Sequence, residues 1–286
     1  MKWFWTFIFV ILILSLGIFY KYYSEFDKQI NLHFPEAKSD SLLIKTAVTK
    51  YFISSNHQKL AYWYFPVKNP RAVVILVHGF SNPGGKSQML VHAEYLQKAG
   101  YTTIIPDLRA FGESEGQKTY LGTQEWRDLV DVYDLVASFP ETKNKKIGYL
   151  GFSMGAVSAI NSLAKSGKGD FLIAVSPYSS VNSMYQFRLK PGNFLSSIFL
   201  KLAIFTELGP NSLSISPETL ISQIHVPLTI FSGQNDTHID NQDAQKLYNL
   251  ANSPKEFWLA VSDHDIYAAL PADFQEHVLS FLAKIQ

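Results

Sequence analysis

An α/β domain with a mostly parallel central sheet and helices on both faces is predicted by three observations. Short β-branched runs alternate with stretches of helical periodicity from residue 47 onward. Residues 72–78, AVVILVH, are apolar up to the closing histidine, as a strand buried on both faces must be. Residues 145–167 pass from an apolar run into a helical pattern through nothing but Gly-Phe-Ser-Met-Gly. The 286 residues are 47% hydrophobic, enough for one large core. A formal net charge of +1 without a basic stripe argues against a nucleic-acid partner. The sequence has no cysteine, which excludes disulfides, thiolate zinc sites and a cysteine nucleophile.

The elements follow in order. Residues 3–20, WFWTFIFVILILSLGIFY, are uncharged and meet the lower length limit for a membrane span, with Trp3, Trp5, Tyr20, Tyr22 and Tyr23 as interfacial anchors. A cleaved signal peptide is the alternative; Ser15-Leu16-Gly17 has the small-x-small form, but the apolar run continues past it. Residues 1–23 are therefore expected as a single-pass N-terminal anchor, 24–46 as a tether, and 47–286 as an exported globular domain. Residues 47–53 and 60–66 flank SSNHQK and predict an antiparallel pair. After the strand at 72–78, residues 86–99 read as a helix closed by Gly100, and YTTIIP as the next strand.

Further on, Trp126, Leu129, Val130, Tyr133, Val136 and Ala137 share a helical face, with Thr123 as N-cap and Pro140 after the end. Residues 145–150 read as a strand and 154–166 as a helix; FLIAVS, VPLTIFSG and KEFWLAV read as further strands. The last helix starts at Pro271 and aligns Phe274, Val278, Phe281, Leu282 and Ile285. The alternation breaks once, over residues 177–226, far longer than an ordinary connection. Within it NFLSSIFLKLAIFTEL is apolar nearly all round and must be covered by protein, bilayer or an apolar ligand. This insertion is expected to form a helical lid, with Phe194, Ile198, Phe199 and Leu202 lining an acyl-binding cleft.

A sharp strand-to-helix turn needs unusual dihedrals at its tip and small neighbours on either side. Gly151 and Gly155 supply the neighbours, and Ser153 is held above the sheet at a helix N-terminus, where developing negative charge is favoured. A serine hydroxyl needs a base, and the base needs an orienting acid. Such groups collect in loops after the C-terminal ends of strands. VPLTIFSG is followed by Gln234-Asn235-Asp236 and KEFWLAV by Ser262-Asp263-His264-Asp265, giving the order Ser153, Asp236, His264. Asp240 competes with Asp236 for the acid's role; Asp263 and Asp265 adjoin the histidine too closely to reach its Nδ1 and are expected to cap the next helix or tune charge. An oxyanion needs two donors: the backbone N–H of Met154, after the serine, and that of Phe80, in the loop His78-Gly79-Phe80. His78 is expected to pack this loop. No His/Asp/Glu cluster has metal-ligand spacing, and no cofactor is called for.

VILVHGF, PDLRAFGES, GFSMG, FSGQNDTHID and SDHD together resemble the α/β-hydrolase superfamily, in its serine-aminopeptidase-like and monoglyceride-lipase-like branch with membrane-anchored bacterial members. The resemblance covers about 47–286 and implies the α/β-hydrolase fold. It implies Ser153, Asp236 and His264 as nucleophile, acid and base, Phe80 and Met154 as oxyanion donors, and hydrolysis of an ester, thioester or amide. Two positions depart from the family pattern: Ala110 stands where glycine is usual, and Thr237-His238-Ile239 follow the acid, so that His238 is expected to reach the cleft. Asp107 and Arg109 are expected to be structural. The expected function is hydrolysis of apolar, lipid-like acyl esters through an acyl-enzyme, on a small-molecule substrate and at a membrane. An amidase, peptidase or thioesterase on the same residues, and a ligand-binding homologue without turnover, are the rivals.

Overall fold

The computed structural model describes residues 2–285. Its sheet contains β1 (Lys50–Ile53), β2 (Lys59–Phe65), β3 (Val73–Val77), β4 (Thr102–Pro106), β5 (Ile147–Phe152), β6 (Leu172–Val175), β7 (Leu228–Gly233) and β8 (Lys255–Ala260). They lie in the order β1-β2-β4-β3-β5-β6-β7-β8. β2 is antiparallel to both β1 and β4, and all pairings from β4 through β3 to β8 are parallel. β3 shows why the sheet is buried on both sides: Val73, Ile75 and Val77 enter one apolar layer, Val74 and Leu76 the other.

Helices α3 (Glu125–Ala137), α4 (Met154–Ser166) and α9 (Asn241–Leu250) cover the first layer through Leu129, Val132, Val136, Ile160 and Leu247. Helices α2 (Leu90–Lys98) and α11 (Pro271–Lys284) cover the second through Leu90, Leu96, Phe274, Val278 and Phe281. A short α10 (Ile266–Ala269) precedes α11, and a 3-10 turn, Lys86–Met89, precedes α2 inside the stretch expected as one helix. At α3 the cap differs from expectation. Gln124 occupies the N-cap position, and the Glu125 carboxylate accepts the amides of Tyr120 and Gly122 at 2.6 and 2.8 Å.

The insertion 177–226 folds as α5 (Val181–Leu189), α6 (Phe194–Leu208), α7 (Asn211–Ser214) and α8 (Pro217–Leu220). Asn193 caps α6 by accepting the amide of Ser196 at 2.9 Å. Leu200, Ala203, Ile204 and Leu208 form its buried face. Three of the four expected cleft residues point elsewhere: Phe194 is 81% exposed and Ile198 and Leu202 share its outward side, while Phe199 packs against the core. Helical periodicity places Ile198 and Leu202 on one side with Leu195 and Phe205, and that side is the outer one.

The N-terminal helix α1 runs without interruption over Lys2–Ile30 and contains a stretch long and apolar enough to cross a membrane. Its second half corrects the tether expected over residues 24–46. Tyr22, Phe26 and Ile30, at i, i+4 and i+8, are buried in the main core, each contributing roughly 1.5–3 kcal/mol. Phe26 meets the Tyr185 ring of α5 edge-on at 4.8 Å, Tyr185 donates to Gln29 at 2.8 Å, and Asn31 donates to Glu207 of α6 at 2.9 Å. Helices α1 and α6 pack side by side. Since Glu207 sits at the C-terminal end of α1, the rest of α6 runs back beside α1 toward its exposed apolar half.

Candidate active site

Strand register sets the site. Phe152 pairs with Val175, Val175 with Phe231, and Gly233 with Ala260, so four parallel strands end side by side. The ladder continues past those ends: the amide of Ser153 donates to Val175 at 2.8 Å, that of Ser176 to Phe231 at 2.8 Å, and that of Asn235 to Ser262 at 2.9 Å. Ser153, Asp236 and His264 all follow within a few residues.

Ser153 has φ 53° and ψ −115°, a left-handed conformation that costs on the order of 1–3 kcal/mol and is held by its surroundings. The flanking glycines are required by close approach. A Cβ at Gly151 would stand 2.5 Å from the Gly155 carbonyl oxygen, and one at Gly155 would stand 2.2 Å from that of Val77 and 2.5 Å from that of His78. Only bare backbone lets α4 leave β5 this tightly against β3.

His264 and Asp236 are brought together. The imidazole Nδ1 lies 2.6 Å from Asp236 Oδ2, and the two side chains are 12% and 1% exposed. Asp236 Oδ1 accepts the amides of His238 and Ile239 at 2.8 and 2.9 Å. A carboxylate oxygen accepts, so Nδ1 is the donor in this contact and Nε2 is left to face elsewhere. The Phe152 ring, next in sequence to Ser153, lies tilted against the His264 ring with centres 5.0 Å apart. Ser153 as a residue is 5% exposed, and among the described residues its Oγ makes no hydrogen bond.

The competing acids have other duties. Asp240 caps α9 by accepting the amide of Gln242 at 3.0 Å. Asp263 accepts the amides of His264 and Thr237 at 2.7 and 3.1 Å, and these bonds, the one from His264 foremost, hold its carboxyl below the usual range. Asp265 occupies the N-cap position of α10 without a side-chain bond there. His238 does approach the site, with its ring 5.2 Å from that of His264. Asp236, His238 and Asp263 bring ligand-type atoms within 4.8 Å of one another, a grouping that spacing along the chain hides. Oδ1 of each carboxylate already accepts two backbone amides.

The amides of Phe80 and Met154 engage no acceptor among the described residues. His78 packs the loop as expected: Nε2 accepts the Leu108 amide at 3.0 Å and Nδ1 donates to the Gly79 carbonyl at 2.8 Å. Burial pushes its pKa down to about 4, which matches that neutral form. Arg109 forms a two-pronged ion pair with buried Asp128 at 2.8 and 2.5 Å. Asp107 is buried against Lys86, whose Nζ lies 2.6 Å away, and accepts the amides of Lys86 and Glu113. Ala110 adopts φ 67°, so the loop keeps its glycine-like turn with a methyl group in place.

Two neighbours of the site carry no motif. Ser176 Oγ donates to the His264 carbonyl at 2.9 Å and steadies its loop; its place at the end of FLIAVS, one lateral step from Ser153, is the signal that marks it. Lys86, fully buried, binds Asp107, Glu36 and Glu113 and lies 4.6 Å from the Trp63 ring centre. Burial alone disfavours its cation, but the carboxylates outweigh this and its pKa is raised.

The profile of the family described as serine aminopeptidase, S33, matches residues 68–221. The uncharacterized protein YqkD of Bacillus subtilis is 28% identical over 209 residues, which are 70% of this chain and 66% of that protein. Lysophosphatidylserine lipase ABHD12 of Danio rerio is 25% identical over 211 residues, 69% of this chain and 52% of the relative. The esterase Pf2001 of Pyrococcus furiosus superposes with a TM-score of 0.71 at 24% identity, covering 88% of this chain and 97% of the esterase. That likeness shows the fold.

Proposed function

The chain belongs to the serine aminopeptidase, S33, family and is an α/β hydrolase, and on that premise we propose that it cleaves carboxylic esters with apolar acyl groups through a Ser153–His264–Asp236 triad. The observation that carries this reading is the 2.6 Å contact of His264 with buried Asp236, beside the strained turn that presents Ser153. His264 Nε2 takes the hydroxyl proton as Ser153 Oγ bonds to the acyl carbon. The carbonyl π pair moves onto oxygen, where the Phe80 and Met154 amides receive it. On collapse the bond to the alkoxy oxygen breaks, and that oxygen takes the proton from His264. Water then gives a proton to His264 and its oxygen to the acyl carbon; the bond to Oγ breaks and the proton returns to Ser153.

An ester is favoured over an aminoacyl amide because the insertion offers no acid to hold an amine. Glu207 is bound to Lys118 at 2.7 Å and to Asn31, and Glu218 is paired with Lys246. The apolar outer face of α6, beside the apolar half of α1, supports an acyl group met at a membrane and a single-pass anchor holding the domain there. A relative named a lysophosphatidylserine lipase fits this reading.

The test is fluorophosphonate labelling of the full chain together with turnover of p-nitrophenyl esters of graded acyl length. Labelling is expected in the wild type and lost in Ser153→Ala, with turnover rising toward longer acyl groups. Undiminished labelling of the variant overturns the assignment of the nucleophile, and faster cleavage of aminoacyl amides overturns the substrate class.

A further inference from the structure

The segment after α1, residues 31–37, threads between two loops of the site. On one side the Phe34 amide donates to the Ala110 carbonyl at 2.7 Å and the Gly112 amide to the Phe34 carbonyl at 2.8 Å, a parallel bridge to Phe111. On the other the Gly84 amide donates to the Pro35 carbonyl at 2.9 Å and the Ala37 amide to the Gly84 carbonyl at 2.7 Å, a parallel bridge at Glu36. The His33 ring sits between the carbonyls of Gly112 and Gly116 at 2.9 and 3.1 Å.

Side chains complete the strap. The Phe34 ring, 1% exposed, stacks on Phe111 at 4.5 Å and meets the Phe80 ring edge-on at 5.1 Å. Glu36 accepts Lys86 Nζ at 2.6 Å and the Ser87 amide at 2.8 Å, and Ser87 Oγ donates to the Ala37 carbonyl at 2.8 Å. Between Phe80 and Gly84, among the described residues, the loop backbone hydrogen-bonds to another element only at Gly84, and there only to this strap. Upstream it is tied at the Gly79 amide, which donates to Gln88 at 2.7 Å.

We propose that Phe34 and Glu36 are positioning residues for the hydrolytic reaction, fixing the loop that carries the Phe80 amide. The proposal rests on the reading of that amide as an oxyanion donor. A donor serves the transition state only within about 2.7–3.1 Å of where the charge forms. A displacement of about 1 Å is enough to lower the rate about a hundredfold. The Phe34 ring is wedged between Phe80 and Phe111, so its removal leaves a space into which the Phe80 loop can sag. Glu36 holds the other end of the loop by the side chain of Lys86 and the amide of Ser87. The chain that leaves the N-terminal helix is thereby part of the catalytic support.

The experiment uses the full chain in detergent micelles with p-nitrophenyl butyrate, comparing Phe34→Ala, Phe34→Leu, Glu36→Gln and, as a packing control, Phe26→Ala. Phe34→Ala is expected to lower kcat about tenfold to a hundredfold, with KM nearly unchanged and the pH dependence of kcat retained. Phe34→Leu is expected to recover part of that loss, and Glu36→Gln to show a smaller loss of kcat. Phe26→Ala, which removes a buried ring against Tyr185, is expected to lower the thermal midpoint and leave kcat per labelled serine as it was. Wild-type kcat in folded Phe34→Ala overturns the proposal, as does an equal loss in Phe26→Ala. Where Phe34→Ala does not fold, wild-type kcat in both Phe34→Leu and Glu36→Gln overturns it. A wild-type chain with neither turnover nor labelling at Ser153 defeats the reading of the site and the proposal with it; an active wild type with unaffected variants defeats the strap alone.

Discussion

Asp236 and His264 stand 28 positions apart in sequence, yet their side chains meet at 2.6 Å. The meeting follows from β7 and β8 running parallel with Gly233 opposite Ala260, so both residues fall in loops at one end of the sheet. Asp263, the immediate neighbour of His264, instead accepts the amides of Thr237 and of His264 itself, and the Thr237 hydroxyl. Nearness in sequence and nearness in function part company here.

Asp236→Asn should therefore lower kcat by about ten-thousandfold, because an amide in its place no longer enforces the imidazole tautomer. Asp240→Asn, at a helix cap, should change kcat by no more than a few-fold, since asparagine caps about as well. Steady-state kinetics of the two purified variants decide between them. A large loss in Asp240→Asn and a small one in Asp236→Asn would reassign the acid.

Gly155→Ala should be among the most damaging single-methyl additions in the chain. The new carbon would lie 2.2 Å from the Val77 oxygen, and backbone on both sides must move apart. A loss of about 3 kcal/mol or more is expected, seen as a fall in the thermal midpoint. A midpoint within a degree or two of the wild type would show that α4 and β3 are not so closely apposed.

Stability should decline on the acid side. His78 and His92 are buried as neutral rings, with burial pushing their pKa values down to about 4 and about 3. The unfolded chain takes up these protons near pH 6.5 and the folded chain does not. Stability is thus fully present above about pH 6.5 and falls toward pH 4, by up to about 1.4 kcal/mol per pH unit for each ring. Among the described residues both ring nitrogens of His92 lack hydrogen-bond partners, and its ring packs against Tyr95, Tyr267 and Phe274. His92→Phe should therefore flatten the acid limb of a denaturation series, and an unchanged slope would discount His92 as its source.

The outer face of α6 should sit in the lipid interface when the full chain is reconstituted. The sequence lacks cysteine, so single substitutions label cleanly. A bimane on Ile198→Cys is expected to be quenched by spin-labelled lipid, and one on exposed Gln245→Cys to be spared. Equal quenching at both positions, or none at either, contradicts the placement.

Much of the site was legible because its chemistry is tied to short local rules. Gly151, Ser153 and Gly155 announce a tight turn, and the loops after two apolar runs hold the aspartate and histidine whose side chains meet. The fold was legible for a similar reason, since strands like 72–78 read as doubly buried on sight. The strap was not. Phe34 and Glu36 lie in a polar stretch with one proline, and what sets them apart is contact with loops more than 40 residues away in sequence. Tyr22, Phe26 and Ile30 did carry a signal, a spacing of four, but the adjoining apolar run drew the boundary too early. The direction of α6 was illegible because a helix apolar on nearly every side does not say which side faces in.

The unbroken path of α1 from its exposed half into the core leaves no swivel between the two. Whatever grips the first twenty residues also dictates the heading of the entire body. Adding one residue to the gripped part would rotate everything beyond it by about 100° about the helix axis. A leader of equal greasiness but different length would then turn the mouth of the site to a different angle about that axis.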